Sequence, residues 1–197
     1  MFEDMVIKKK RELRVKNLQD LRLSLDSPDV KLKISNYATE HGFLVEEIRQ
    51  EIIDNDLVAS FFAKDPVKQN FTELLVAELL KTKVLPQQGK NCIRFDEDGN
   101  ICSTKGTTTT KAADFYINNT YITQKYTRST GGAQDNQYND VVDFLIKGSK
   151  KHKVAAIVDG SYWDDLKRKE LRDYFELNPN VQILSMDDYL NGGVIFE

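Results

Sequence analysis

The stretch AADFYINNTYITQKYT, residues 112–127, consists of two runs rich in β-branched and aromatic residues joined by Asn118-Asn119. Asparagine tolerates the left-handed backbone that a two-residue hairpin turn demands, so this pair predicts a hairpin. Such a turn fixes the register: Ile117 opposes Thr120, Tyr116 opposes Tyr121, Phe115 opposes Ile122 and Asp114 opposes Thr123. Side chains alternate across a strand, which places Asp114, Thr123 and Lys125 on one face and Ala113, Phe115, Ile117 and Ile122 on the other, apolar one. Opposed Cβ atoms lie ~5 Å apart and diagonal ones ~7–8 Å, so Asp114 and Lys125 can converge on one small object.

Outward from this hairpin the chain changes character in both directions. The whole of 91–130 is β-rich and punctuated by DG and NN turns, which predicts two successive hairpins. In the first, CIRFDEDGNIC, a two-residue turn at Asp98-Gly99 would pair Phe95 with Cys102 and leave Cys92 further down the strand. Upstream, apolar spacing predicts helices over 1–26, about 36–62 and 68–83, broken at Ser27-Pro28, Asp65-Pro66 and Pro86. Downstream, 136–150 returns to helical spacing, with Tyr138, Val141, Val142 and Leu145 on one face. VAAIVDG, 154–160, is a continuous apolar run ended by Asp-Gly, the pattern of a strand buried on both faces. A helix over about 164–176, the short strand VQIL and a helical turn at DDYL complete the order. This order predicts an α/β (α+β) fold, a mixed β-sheet with N-terminal hairpins flanked by helices. The division expected is an N-terminal helical region, 1–66, and a compact unit, 67–197.

The chain has 197 residues, 40% hydrophobic and 30% charged, which is enough to build a core without staples. No apolar run approaches the ~20 residues needed to span a bilayer, and MFEDMVIKKKRELR has no signal-peptide core, so the cytoplasm is the expected compartment. Cys92 and Cys102 are then expected as free thiols. With His41 and His152 they make no zinc constellation. The net charge of −3 is unevenly spread. Lys and Arg against Asp and Glu count 9 to 6 over 1–33, 7 to 12 over 34–98, 8 to 4 over 99–153 and 4 to 9 over 154–197. The opening hairpin therefore sits in a basic segment between two acidic ones, which is either chance scatter or a surface for a polyanion.

A carboxylate and a lysine converging on one strand pair have two readings. One is an ordinary cross-strand ion pair of a few tenths of a kcal/mol, in the range of ~0.2–1 kcal/mol for such pairs. The other is phosphodiester chemistry, in which a carboxylate holds a divalent cation and a lysine orients the attacking water and offsets developing negative charge.

The arrangement Asp114, then Thr123-Gln124-Lys125, resembles the PD-(D/E)XK nuclease signature, a strand aspartate followed about ten residues later by an acid, any residue and a lysine. More widely, FFAKDPVKQNFTE, IRFDEDGNICSTKGTTTTKAADFYI, STGG, the helix with Tyr138-Asn139-Asp140, and IVDGSYW together resemble type II restriction endonucleases of the GATC-cutting MboI/DpnII kind, over about 60–190. The resemblance implies a restriction-endonuclease-like fold and sequence-specific hydrolysis of double-stranded DNA with Mg²⁺ (Mn²⁺ substituting). It also implies a homodimer on a palindromic site, within a restriction-modification setting, with 1–66 as a dimerisation arm or DNA clamp. Asp114 and Lys125 match the signature directly. Thr123 stands where the family has an acid and offers only a neutral oxygen, and Ala113 stands where the family has proline. The second carboxylate could come from Asp140 on the following helix or from Glu73 on the preceding one, with Asp114 and Glu73 as metal ligands. Alternatively, the chain is a pseudo-nuclease, a DNA-binding protein with a degenerate nuclease fold, or an inactivated form.

DNA contacts are expected from Lys105, Lys111 and Arg128, with Ser129-Thr130-Gly131-Gly132 allowing close backbone approach to phosphate. Thr107–Thr110 suits either groove contacts or a plain exposed strand. Gln134, Asn136 and Gln137 are candidates for reading adenine edges. Trp163 is expected as a core anchor rather than a base stacker.

Overall fold

A computed structural model describes residues 1–128 and 132–196, the side chains of 132–135 excepted. Among these residues the chain is mixed α/β, with eight α-helices and two sheets. It divides into two compact units, Asp4–Phe71 and Met1–Glu3 with Thr72–Glu197. The break lies past Asp65-Pro66 because Asn17 donates its side-chain amide to Lys64 O at 2.8 Å and to Gln69 Oε1 at 2.7 Å, tying 64–69 to the first helix.

The helical unit is built from most of α1 (Phe2–Leu23), α2 (Pro28–His41), α3 (Val45–Asp54) and α4 (Asp56–Phe62), and a 3-10 turn at Pro66–Gln69. The expected helix over about 36–62 is thus three helices, and its first part begins earlier, at Pro28. Proline is well placed at a first helical position, where no N–H is needed, so Ser27-Pro28 starts a helix as well as ending one. Gly42 then ends α2 in the left-handed conformation (φ 74), and the Asn55 side chain caps α4 by accepting from Leu57 and Val58 N–H. Leu18, Leu21, Ile34, Ile52 and Phe62 form the core of this unit.

The second unit holds a four-stranded sheet and a small two-stranded one. α5 (Phe71–Leu80) precedes β1 (Arg94–Phe95), β2 (Ile101–Cys102), β3 (Phe115–Ile117) and β4 (Thr120–Tyr126). Then come α6 (Gly132–Gly148), β5 (Lys153–Asp159), α7 (Asp165–Tyr174), β6 (Val181–Leu184) and α8 (Met186–Leu190). β3 and β4 are antiparallel, while β4, β5 and β6 are parallel, each joined to the next through a crossover helix.

Three of the four expected β3-β4 pairs form, Phe115↔Ile122, Tyr116↔Tyr121 and Ile117↔Thr120, whereas Asp114 lies before β3 and bonds Ile122 O rather than pairing with Thr123. Both turn residues adopt positive φ, 48 at Asn118 and 58 at Asn119. In the first hairpin the register differs by one residue: Arg94 pairs with Cys102 and Phe95 with Ile101. The Asp96 carboxylate accepts from the N–H groups of Asp98 and Asn100, which lengthens the loop to Glu97-Asp98-Gly99, with Gly99 at φ 79. Both cysteines are free thiols.

The expectation that the Asp114 face opposes a single apolar face is corrected. On β5 the partners of Thr123 and Lys125 are Ala156 and Val158, both fully buried in a cluster with Phe95, Phe144, Leu145 and Trp163. On the other face Phe115, Ile122 and Ile157 are equally buried. Both crossover helices pack on the Ala156 and Val158 face, yet β5 is buried on both faces, and β4 beside it shares that condition. Trp163 is a core residue, stacked on Tyr138 at 5.9 Å. Among the described residues no helix is long and apolar enough to cross a membrane.

Candidate active site

Asp114 lies one residue before β3 and is 2% exposed. Its own N–H donates to O of Ile122, the residue that Phe115 opposes, at 2.7 Å. The carboxylate is held from both sides. On one, Gln124 N–H donates to Oδ2 at 2.6 Å and the Thr123 hydroxyl to the same oxygen at 3.4 Å. On the other, the Gln87 side-chain amide reaches Oδ1 at 3.2 Å while also facing Leu85 O and Ala113 O. Gln87 was not indicated by any pattern in the sequence. It follows Pro86 in an irregular segment, held here by the pairing of Leu85 N–H with Asp114 O and by Arg94 and Cys92, which donate to Gln87 O.

Burial pushes the Asp114 carboxyl above its ordinary value, while the Lys125 charge, the Gln124 N–H, Thr123 and Gln87 pull the other way. Glu73, in the first turn of α5, is also pushed up, first by burial and then by the Asp114 charge, with Lys125 again opposing. Glu73, Asp114 and Lys125 therefore share one electrostatic environment. Glu73 and Lys125 are part-buried, and among the described residues none of the three closes a salt bridge. The Asp114 charge raises the proton affinity of Glu73 in a partly desolvated place, which makes the pair a candidate seat for a cation.

Asp140 is not among the groups acting on either carboxylate. It faces Lys111, Nζ to Oδ2 at 3.9 Å, so two residues expected in different roles are matched to each other. Thr123 is 1% exposed and serves as a donor to Asp114. An acid at this position beside Asp114, in a dry environment, would add a like charge, whereas threonine adds a hydrogen bond.

The residues expected to contact DNA are engaged in different local contacts where they are described. Arg128, just past β4, forms an ion pair with Glu3, and its Nε donates to the Tyr126 hydroxyl at 2.6 Å. Burial and the Glu3 carboxylate push that hydroxyl up to about 12. Lys105 and Asn136 are exposed. Thr107–Thr110 forms a turn and not a strand: Gly106 N–H donates to Thr109 Oγ1 at 2.9 Å, and Thr110 is buried, accepting from Phe95 N–H at 3.0 Å. Thr108 O accepts from Lys147 Nζ at 2.8 Å. The Gln137 side-chain oxygen accepts from the Thr127 hydroxyl at 2.5 Å. Ser129, Thr130 and Gly131, and the side chain of Gln134, lie outside the described residues.

Among the described residues no group of three or more His, Cys, Asp or Glu is arranged to hold a metal ion. The donor set here is the pair Glu73 and Asp114. Two hard oxygen donors fit Mg²⁺, which keeps several waters and takes one or two carboxylates plus substrate phosphate. No protein family, curated protein or solved structure matches this chain.

Proposed function

We propose that this chain is a Mg²⁺-dependent phosphodiesterase of the PD-(D/E)XK type, a sequence-specific endonuclease for double-stranded DNA, with Glu73 and Asp114 holding the cation and Lys125 acting on the attacked phosphate. The observation that carries this reading is a buried Asp114 carboxylate, fixed by Gln124 N–H, Thr123 and Gln87, in the electrostatic reach of the part-buried Glu73 and Lys125. The mixed sheet, an antiparallel hairpin leading through α6 into a parallel strand, agrees with it.

When bound, Mg²⁺ supplies Lewis-acid polarisation of the phosphoryl oxygen. The chain's own part is positional and electrostatic. Gln124 N–H, Thr123 and Gln87 fix the Asp114 carboxylate, so little reorganisation is needed on loading. Lys125, next to Gln124 on β4, offsets negative charge that grows as the phosphodiester is attacked and orients the water that attacks it. Lys111 and Arg128 exchange their carboxylate partners for DNA phosphates, a swap favoured at low salt. The homodimer and a GATC site rest on the resemblance alone.

A second reading, a catalytically degenerate DNA-binding protein, is favoured by one observation: a neutral donor, Thr123, occupies the position of the family's acid. Incubating unmethylated plasmid DNA with Mg²⁺ and then Mn²⁺ separates the two. Discrete fragments that vanish in Asp114→Ala and Lys125→Ala support the endonuclease; cleavage persisting undiminished in both variants overturns the site. Specific, salt-sensitive binding without cleavage moves the assignment to the second reading.

A further inference from the structure

The helical unit carries a groove of about 670 Å³ between the end of α2, α3 and α4. Its walls are aromatic: Tyr37 stacks on Phe43 at 6.5 Å with 4° between the rings, and meets Phe62 edge-on at 5.2 Å. Phe43 and Phe61 stand on its lips, 51% and 68% exposed. Large aromatic side chains left in water around a concavity mark an interaction surface, because the same burial that drives folding remains to be gained.

The rim is acidic. Glu47 and Glu51 line the groove, and Glu47 is fixed there because its carboxylate accepts from Leu44 N–H at 3.0 Å. Among the described residues neither neighbouring cation pairs with these two carboxylates. Arg49 donates to Leu25 O at 3.1 Å and pairs with Asp26 and Glu46, while Lys33 directs its ammonium to the carbonyls of Phe61 and Phe62. An apolar trough edged by uncompensated carboxylates complements an amphipathic helix whose apolar stripe is flanked by lysine or arginine.

We propose that this groove docks a basic amphipathic helix of another polypeptide, with Phe43 and Phe61 clasping its apolar stripe and Glu47 and Glu51 matching its flanking cations. The proposal does not depend on the nuclease reading, since every residue in it belongs to Asp4–Phe71.

The test uses the full chain and two synthetic helical peptides of equal length with the same leucines at i, i+3, i+4 and i+7, one flanked by lysines and one by glutamates. Fluorescence anisotropy is expected to show the lysine peptide bound at least about tenfold more tightly, a preference removed by Glu51→Lys, with overall binding weakened about tenfold or more by Phe61→Ser. Both positions are exposed, so the melting temperature should stay put and confirm that the variants fold. Equal affinity for the two peptides, or lysine-peptide binding indifferent to both substitutions, overturns the proposal. So does self-association of the unliganded protein that Phe61→Ser abolishes, which would assign the groove to a second copy of the chain.

Discussion

Gln124 donates its backbone N–H to the Asp114 carboxylate at 2.6 Å, ten positions away across the hairpin. The bond lies on the strand that carries Lys125, so the same backbone that holds the carboxylate sets where the lysine begins. Any shift of register would separate all three groups at once, and the Asn118-Asn119 turn is what prevents it.

Cation binding to this site should release protons. Burial holds Asp114 above the usual carboxylate range, and burial together with the Asp114 charge does the same to Glu73. A divalent cation binds the ionised pair, so affinity strengthens as pH rises through the raised values and weakens as it falls back through them. Calorimetric titration of Mn²⁺ in buffers of different ionisation enthalpy measures the released protons. The release should shrink in Glu73→Gln; a wild-type titration with no buffer dependence would remove the carboxylate pair as the binding seat.

Thr123→Glu should couple the fold to the cation. The new carboxylate would replace the hydroxyl that donates to Asp114 at 3.4 Å, in a position 1% exposed. Without metal, an uncompensated charge buried there costs about 3 kcal/mol or more. With Mg²⁺ or Mn²⁺ at a hundredfold excess over its dissociation constant, binding returns about 2.7 kcal/mol. Melting curves with and without cation should therefore diverge far more for the variant than for the parent chain. Equal cation-induced shifts in the two proteins would show that position 123 does not face the cation seat.

The hairpin at the centre of the site was legible because its determinants are local: Asn-Asn demands a turn, and alternation does the rest. The first hairpin misled because a side chain, Asp96, reset the loop length by capturing two backbone N–H groups. Glu73 could be named as a candidate but not chosen over Asp140, since what separates them is tertiary. Lys111 reaches Asp140 from a loop, and α5 sets Glu73 near Asp114 from another segment. Gln87 could not be read at all, because an irregular segment has no period to betray which way it faces. Both-face burial of β4 followed from the neighbour it acquired, β5, whose own apolar run did announce it.

Two backbone positions should tolerate little change. Asn119 sits at φ 58, where a β-branched residue is strained, so Asn119→Val should lower stability by about 1–2 kcal/mol. Gly160, at φ 96, leaves no room for a Cβ, which would lie 2.3 Å from Thr127 O where β4 and β5 end together. Gly160→Ala should therefore cost more than Asn119→Val, on the order of 2–4 kcal/mol, since both the backbone angle and the contact must give. Denaturant unfolding read at constant m-value ranks the two; the reverse order would contradict the close approach at Gly160.

Asp159 at the end of β5 should make stability fall as pH rises. It is 6% exposed, and burial pushes its carboxyl up to about 7, against the pull of Met186 N–H and Arg168, with Asp187 and Asp188 adding like charge. In the unfolded chain the same group titrates near 3.8. Between these two values the folded protein holds a proton that the unfolded chain has lost, so the slope of stability with pH is negative there and vanishes for this residue on either side. The gap of about three units corresponds to on the order of 3–4 kcal/mol, lost progressively from about pH 4 to pH 7. Asp159→Asn keeps an oxygen to accept from Met186 N–H, now 3.0 Å from Oδ1, but cannot ionise. The variant should match the parent near pH 4 and exceed it increasingly toward pH 8. Urea midpoints across that range give the comparison directly, and a constant difference between the two proteins would mean that Asp159 enters the fold already ionised.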